Sequence, residues 1–247
     1  ERITTSDDAQ ITIYDQPLNV SLSKSLDQTA LGLPQDAADT DAFPLVSATL
    51  TATNTTASGV PELDIADPKA SSGAPWYDYL NLYQLQFAEL PAGISGDDVT
   101  VRLTLANGEV LPKDYAAAQA LTPAELADVV GVVVQYGAEA NLKDPAKPLI
   151  PSDGRAKLVL TYQLRGTLRG TPTPVDPTDD IANVAQATLV SPGGIGCGGG
   201  VQPCNAPSAS DSGQLDIRKP DYAVKAVKTI TPAQRYEDEA NGYTVTL

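Results

Sequence analysis

The chain has 247 residues, with 16 lysines and arginines against 31 aspartates and glutamates and no histidine, for a formal net charge of −15. That balance repels polyanionic nucleic acid and disfavours an anionic membrane surface, while leaving cations as partners. No apolar run of roughly 18 residues could span a bilayer and no secretory core segment occurs, so any export signal or anchor is expected outside this sequence.

Alternation of apolar with small polar residues, punctuated by Pro, Gly and Asp clusters, predicts strands at 10–14, 18–25, 45–53, 62–66, 80–87, 99–105, 130–136, 156–164, 182–190 and 214–217. In the stretch from Val46 to Thr53 one side is apolar or small and the other carries hydroxyls, as when one face covers a core and the other meets water. Two sheets packed face to face satisfy that pattern, so the expected fold is an all-β sandwich. Helix is expected only as a short insertion. Thr122-Pro123-Ala124-Glu125 has a capping residue, proline at the first helical position and a glutamate three residues after the cap. A helical turn is expected before it, at 115–120. The proline-rich stretch 166–180 is expected to be an exposed loop.

Cys197 and Cys204 are the only cysteines. Their spacing is too long for a CxxC site, and without histidine or further thiols a structural zinc site lacks ligands. They form either a local disulfide, which implies an oxidising extracellular setting, or two free thiols. Residues 194–199 fit GxGxxG literally, but Pro203 follows and no helical pattern starts there, so no dinucleotide site is expected.

The end of the chain repeats its beginning. Residues 6–26 align without a gap on 210–230, pairing Ser6 with Ser210, Asp7 with Asp211, Gln10 with Gln214, Ile13 with Ile217, Val20 with Val224 and Lys24 with Lys228. The likeness continues where Val46–Leu50 matches Tyr243–Leu247, after a shorter loop. A period of one whole domain implies beads on a string rather than a short-repeat solenoid. The expected frame is the end of a preceding repeat at 1–17, one complete repeat at 18–219, and the first strands of the next at 220–247.

The order of a Lys-bearing first strand (Val20-Ser-Leu-Ser-Lys24), an Ala-Thr-Leu-Thr-Ala-Thr-Asn54 strand, Leu63-Asp-Ile-Ala-Asp67-Pro and a closing Ile181-Ala-Asn183-Val-Ala185-Gln-Ala-Thr188 strand resembles the conserved-repeat domains of long bacterial cell-surface proteins. Pro75-Trp-Tyr-Asp-Tyr79, Leu90-Pro-Ala-Gly93 and Leu158-Val-Leu-Thr-Tyr-Gln-Leu-Arg165 look most like those of Gram-positive actinobacteria. The resemblance covers about residues 18–218. It implies an immunoglobulin-like sandwich repeated along an extracellular stalk that projects ligand-binding tips.

Related pilin and collagen-adhesin modules cross-link themselves through a lysine amine and an asparagine carboxamide beside a buried carboxyl group. The resemblance puts Lys24 on the first strand and Asn183 on the last, with Asp67, or else Asp64, as the acid. Burial would favour the uncharged amine that the reaction needs. The alternative is an edge-strand lysine with its ammonium in water. A second candidate is a calcium site at Asp36, Asp39 and Asp41; the groups at Asp97 and Asp98, and at Asp176, Asp179 and Asp180, offer the same oxygen ligands, but none has EF-hand spacing. Trp76, Tyr77 and Tyr79 either bind a glycan or protein partner or plug one end of the sandwich. Without histidine the Ser-His and Cys-His nucleophiles are unavailable, and no enzyme is expected. The function expected is a stalk or spacer repeat whose partners are adjacent repeats of the same chain. The alternatives are a binding module for a glycan or host protein and a filament-forming repeat.

Overall fold

Alternating strands dominate the chain as the sequence leads one to expect, and they assemble into two antiparallel layers. The computed structural model describes residues 18–34, 43–70, 75–138, 147–190, 207–219, 229–231 and 244–246. Cys197 and Cys204, the glycine run at 194–199, Asp36, Asp39 and Asp41, and the strand at 10–14 lie outside the described residues.

Four strands make one sheet: β1 (Val20–Leu26), β3 (Leu45–Asn54), β9 (Arg155–Leu164) and β5 (Leu80–Glu89), in the order β1-β3-β9-β5. Seven make the other: β2 (Ala30–Gly32), β11 (Ser208–Arg218), β10 (Thr178–Val190), β4 (Glu62–Asp67), β8 (Val129–Gly137), β6 (Val99–Leu105) and β7 (Val110–Asp114), in that spatial order. All pairings in both sheets are antiparallel except the short parallel one between β2 and β11.

Period-two burial puts the core between the sheets. On β3, Val46, Ala48, Leu50 and Ala52 are buried while Ser47, Thr49, Thr51 and Thr53 are partly exposed. Facing them across the sandwich are Leu63 and Ile65 of β4, Val132 and Val134 of β8, and Ala185, Ala187 and Leu189 of β10. Gly213 of β11 leaves room for β1: a Cβ there would stand 3.0 Å from Cγ of Leu26.

The helical insertion forms where the capping signals put it. Asp114 accepts from the Ala117 N–H at the head of α2 (Tyr115–Gln119), and Thr122 and Glu125 close a capping box on α3 (Pro123–Leu126). A third helical turn, α1 (Trp76–Tyr79), has no side-chain cap. The 166–180 segment is largely an exposed loop up to Pro177, as its prolines suggest, with one inward anchor. Val175 donates its N–H to the Gly166 carbonyl at 3.1 Å and inserts into the core, and strand β10 already begins at Thr178.

Past Pro220, strands β12 (Thr229–Thr231) and β13 (Thr244–Thr246) pair antiparallel with Thr229 opposite Thr246 and Ile230 opposite Val245. In the repeat alignment these residues correspond to Ser25, Thr49, Leu26 and Ala48, and β1 pairs with β3 as Ser25 opposite Thr49 and Leu26 opposite Ala48. The two hairpins share one register.

Candidate functional site

Three polar residues interrupt otherwise apolar inward rows. On β1 the inward positions are Val20, Leu22, Lys24 and Leu26; on β4 they are Leu63, Ile65 and Asp67; on β10 they are Ile181, Asn183, Ala185, Ala187 and Leu189. Lys24, Asp67 and Asn183 are all buried, and the side chains of Lys24 and Asp67 are both 0% exposed.

Lys24 Nζ donates to Asp67 Oδ2 at 2.9 Å, across the sandwich from one sheet to the other. The edge-strand alternative, with the ammonium in water, is therefore not what the chain adopts. Burial pushes the Lys24 amine below its ordinary range, and the attraction and hydrogen bond of Asp67 and the field of Asp211 oppose that shift without cancelling it. Asp211 also fixes the strand, because its Oδ2 accepts the Lys24 backbone N–H at 2.7 Å and so ties β1 to β11. Trp76 forms one wall of the chamber, with Lys24 Nζ 5.9 Å from its ring centroid.

Asp67 Oδ2 has a second donor, the Tyr162 hydroxyl at 3.2 Å, whereas Oδ1 is buried without a hydrogen-bond partner. Tyr77 stands behind, its hydroxyl 3.4 Å from that of Tyr162 and 3.4 Å from the Asp67 carbonyl oxygen. Burial and the adjacent carboxylate push both phenols well above their ordinary range, so both remain neutral donors. Trp76 and Tyr77 pack edge-on against Tyr162, at centroid distances of 5.4 and 5.7 Å.

Asn183 belongs to β10, next to β4. Ala187 lies opposite Ile65 and Gln186 opposite Ala66, so one more step sets Ala185 opposite Asp67 and puts Asn183 on the diagonal of the same inward face. Diagonal neighbours on one face stand about 7–8 Å apart. The Lys69 N–H donates to the Val184 carbonyl at 2.6 Å, which keeps the two strands together beyond Asp67, and β1 packs directly over β10. Both carboxamide atoms of Asn183 are buried without a hydrogen-bond partner. The inward faces of β1, β4 and β10 thus carry an amine held by a carboxylate, a carboxylate oxygen without a donor, and a carboxamide with nothing on either end. β10 is the penultimate strand of the sandwich rather than its last, since β11 follows and pairs with it.

The structure chooses between the two aspartates by strand parity. Asp64 lies on the opposite face of β4 from Asp67, on the outer side of the seven-stranded sheet. Its carboxyl is pushed up to about 7, chiefly by burial and then by Glu62, with Arg102 opposing. Between the unfolded value of about 3.9 and that raised value, the folded state holds a proton the unfolded chain has released. The associated stability is complete below the unfolded value and is lost as pH rises through about 7. Asp64→Asn is expected to remove this dependence. Urea midpoints at pH 5 and pH 8 should differ less in the variant than in the wild type, where pH 8 gives the lower one.

Two other candidates resolve differently. Trp76 is 0% and Tyr77 3% exposed, and Tyr79 packs against the core, so these aromatics plug the sandwich instead of presenting a glycan or protein platform. Among the described residues, no group of three or more acidic side chains is gathered closely enough to hold a metal ion, so Asp97 with Asp98, and Asp176 with Asp179 and Asp180, do not form a calcium cage. Asp98 instead caps the turn 96–98 through Ser95. Sequence reasoning missed Tyr162 and Asp211 at the site and read Tyr77 only as a ligand contact or a plug, although Asp211 recurs with Lys24 in the terminal repeat.

No family model and no curated protein matches the chain. Among solved structures it is similar to the seventh ScaB type I cohesin of Pseudobacteroides cellulosolvens, at 9% identity over 85% of this chain and 98% of that one, TM-score 0.39. It is also similar to the type I cohesin–dockerin complex Coh-OlpC-Doc435 of Clostridium thermocellum, at 11% identity over 86% and 100%, TM-score 0.38. A third similarity is to the full-length major pilin SpaD of Corynebacterium diphtheriae, at 13% identity over 81% of this chain and 34% of that one, TM-score 0.31. The likeness is one of fold, a β-sandwich.

Proposed function

We propose that this chain is a load-bearing module of an extracellular bacterial surface stalk, stapled internally by an isopeptide bond between Lys24 and Asn183. The observation that carries the staple is the buried chamber, where Lys24 Nζ lies 2.9 Å from Asp67 Oδ2 and the Asn183 carboxamide is enclosed with neither atom bonded. An ordinary core does not leave atoms such as Asp67 Oδ1 and both carboxamide atoms of Asn183 without partners, because each unpartnered buried polar group costs about 1–3 kcal/mol.

The reaction balances within the chamber. The Lys24 ammonium passes a proton to Asp67 Oδ2 along their hydrogen bond, and the neutral amine attacks the Asn183 carboxamide carbon. The protonated acid polarises the carboxamide oxygen. As the tetrahedral centre collapses, Nζ gives up one proton, relayed by Asp67 to Nδ2, the Cγ–Nδ2 bond breaks with ammonia leaving, and the neutral Nζ–Cγ amide remains beside the protonated acid. Each chain turns over once and alters only itself, so the module is not an enzyme.

The bond would join the first strand of one sheet to β10 of the other, so that tension entering near residue 18 passes to residue 183 without loading the intervening strands. The shared register of β12–β13 and β1–β3 supports the tandem frame, with residues 220–247 as the opening of a following module. In such an array the neighbouring repeats are the partners, and a net charge of −15 keeps parallel stalks apart. Intact mass spectrometry of the denatured chain tests the staple. The expected mass is about 17 Da below that of the sequence, the loss of one ammonia from the covalent step, and an unmodified mass refutes it.

A further inference from the structure

The Asp67 carboxylate has two oxygens with unequal surroundings. Oδ2 accepts from both Lys24 Nζ at 2.9 Å and the Tyr162 hydroxyl at 3.2 Å, while Oδ1 has no donor although it is fully buried. A carboxylate held only by the lysine could rotate about its Cβ–Cγ bond and exchange its two oxygens. The second donor removes that freedom, because a phenol anchored on the opposite sheet cannot follow the rotation. Tyr162 is itself held on β9 between Val46 of β3 and Leu82 of β5, and edge-on rings of Trp76 and Tyr77 close two of its sides.

We infer that Tyr162 is the positioning residue of the cross-linking reaction: its hydroxyl fixes the Asp67 carboxyl so that Oδ2, the oxygen that takes the Lys24 proton, stays turned toward the reacting amine and carries that proton to the Asn183 carboxamide. This rests on the cross-link reading above. The phenol does not itself touch the bond that forms, and it takes no proton, since burial beside Asp67 keeps it neutral. Its contribution is orientational, keeping the proton-carrying oxygen of the carboxyl on the side of the reacting groups. Tyr77 has a lesser part, because its hydroxyl meets the Asp67 main-chain oxygen and that of Tyr162, neither of which depends on the carboxyl torsion.

The test compares the full chain carrying Tyr162→Phe or Tyr77→Phe with wild type, made by cell-free synthesis, quenched in acid at intervals and weighed intact. Tyr162→Phe is expected to slow the loss of ammonia by about tenfold or more, the worth of one hydrogen bond to a charged group, and Tyr77→Phe to slow it much less. The same Tyr162→Phe change is also placed in an Asn183→Ala chain, which cannot cross-link, and the thermal midpoint is read there. A positioning residue slows the covalent step while leaving that midpoint within a few degrees, whereas a purely structural hydroxyl lowers both in proportion. Cross-linking of Tyr162→Phe at the wild-type rate, or a slowing matched by an equal loss of stability in the Asn183→Ala chain, overturns the inference while leaving the staple standing. An unmodified wild-type mass overturns both.

Discussion

Asp67→Ala is expected to yield a chain that keeps its full mass and is the least stable of the single variants at the site. Two effects combine. Without the carboxylate no group within the chamber accepts the Lys24 proton, so the ammonia is retained. The lysine also remains, with its side chain 0% exposed and its one ionic partner removed. Breaking a buried pair by deleting one member typically costs about 3–5 kcal/mol, because the surviving charge is uncompensated. The pH dependence distinguishes this from simple loss of packing. Burial already lowers the Lys24 value, and Asp67 is the principal influence raising it, so removing Asp67 lowers it further. Over the interval between that lowered folded value and the unfolded one, about 10.4, the unfolded chain binds the proton and the folded chain does not. Stability of Asp67→Ala therefore rises as pH rises through this window. Urea midpoints at pH 6 and pH 9 should increase in that order. Asp67→Asn, which keeps the shape but cannot accept the proton, should also keep its full mass while losing less stability.

The sandwich was legible because its strands alternate strictly. Between Leu45 and Asn54, and again between Arg155 and Leu164, every second residue is buried, and that pattern is local to the sequence. Strand β2 escaped notice because three residues carry no period, and β7 because Pro112 argues against a strand. Proline is tolerated there since β7 is the outermost strand of its sheet and one side of it needs no ladder donors. Helix α1 is four residues long and lacks a side-chain cap, so nothing in its sequence announces it.

The family resemblance nominated the site, and strand parity agrees with it. Lys24 falls in step with Val20, Leu22 and Leu26, Asp67 with Leu63 and Ile65, and Asn183 with Ala185 and Ala187, so each is a polar residue at an inward position. Asp64 is out of step with Ile65 and so could have been set aside from sequence alone. Which inward residues meet was not legible. Tyr162 is in step with Leu158 and Leu160, and its encounter with Asp67 depends on how two sheets register across the core, a relation with no local signature. The aromatic run at 76–79 had two readings for a similar reason, since the burial of Trp76 and Tyr77 is decided by Tyr162 on a strand more than 80 residues away.

Asn183→Ala separates a cross-linked module from an uncross-linked one by the sign and size of its effect. If Asn183 were merely a buried carboxamide, removing two polar atoms that have no partner would relieve a desolvation penalty and leave stability nearly unchanged or raised. If it is one end of a covalent bond to Lys24, the substitution opens a closed loop of about 160 residues, and by the chain-entropy relation for cross-links that loop is worth about 5 kcal/mol. For a module of about 200 residues each kcal/mol moves the thermal midpoint by about 2–4 °C, so the expected fall is about 10–20 °C. The Lys24–Asp67 pair survives in this variant, so the fall cannot be ascribed to an orphaned charge. Differential scanning calorimetry of wild type and Asn183→Ala, each accompanied by intact mass, reads both quantities from one preparation. A midpoint within a few degrees of wild type would mean that the polar chamber is a packing feature and that the stalk module carries its load on hydrogen bonds alone.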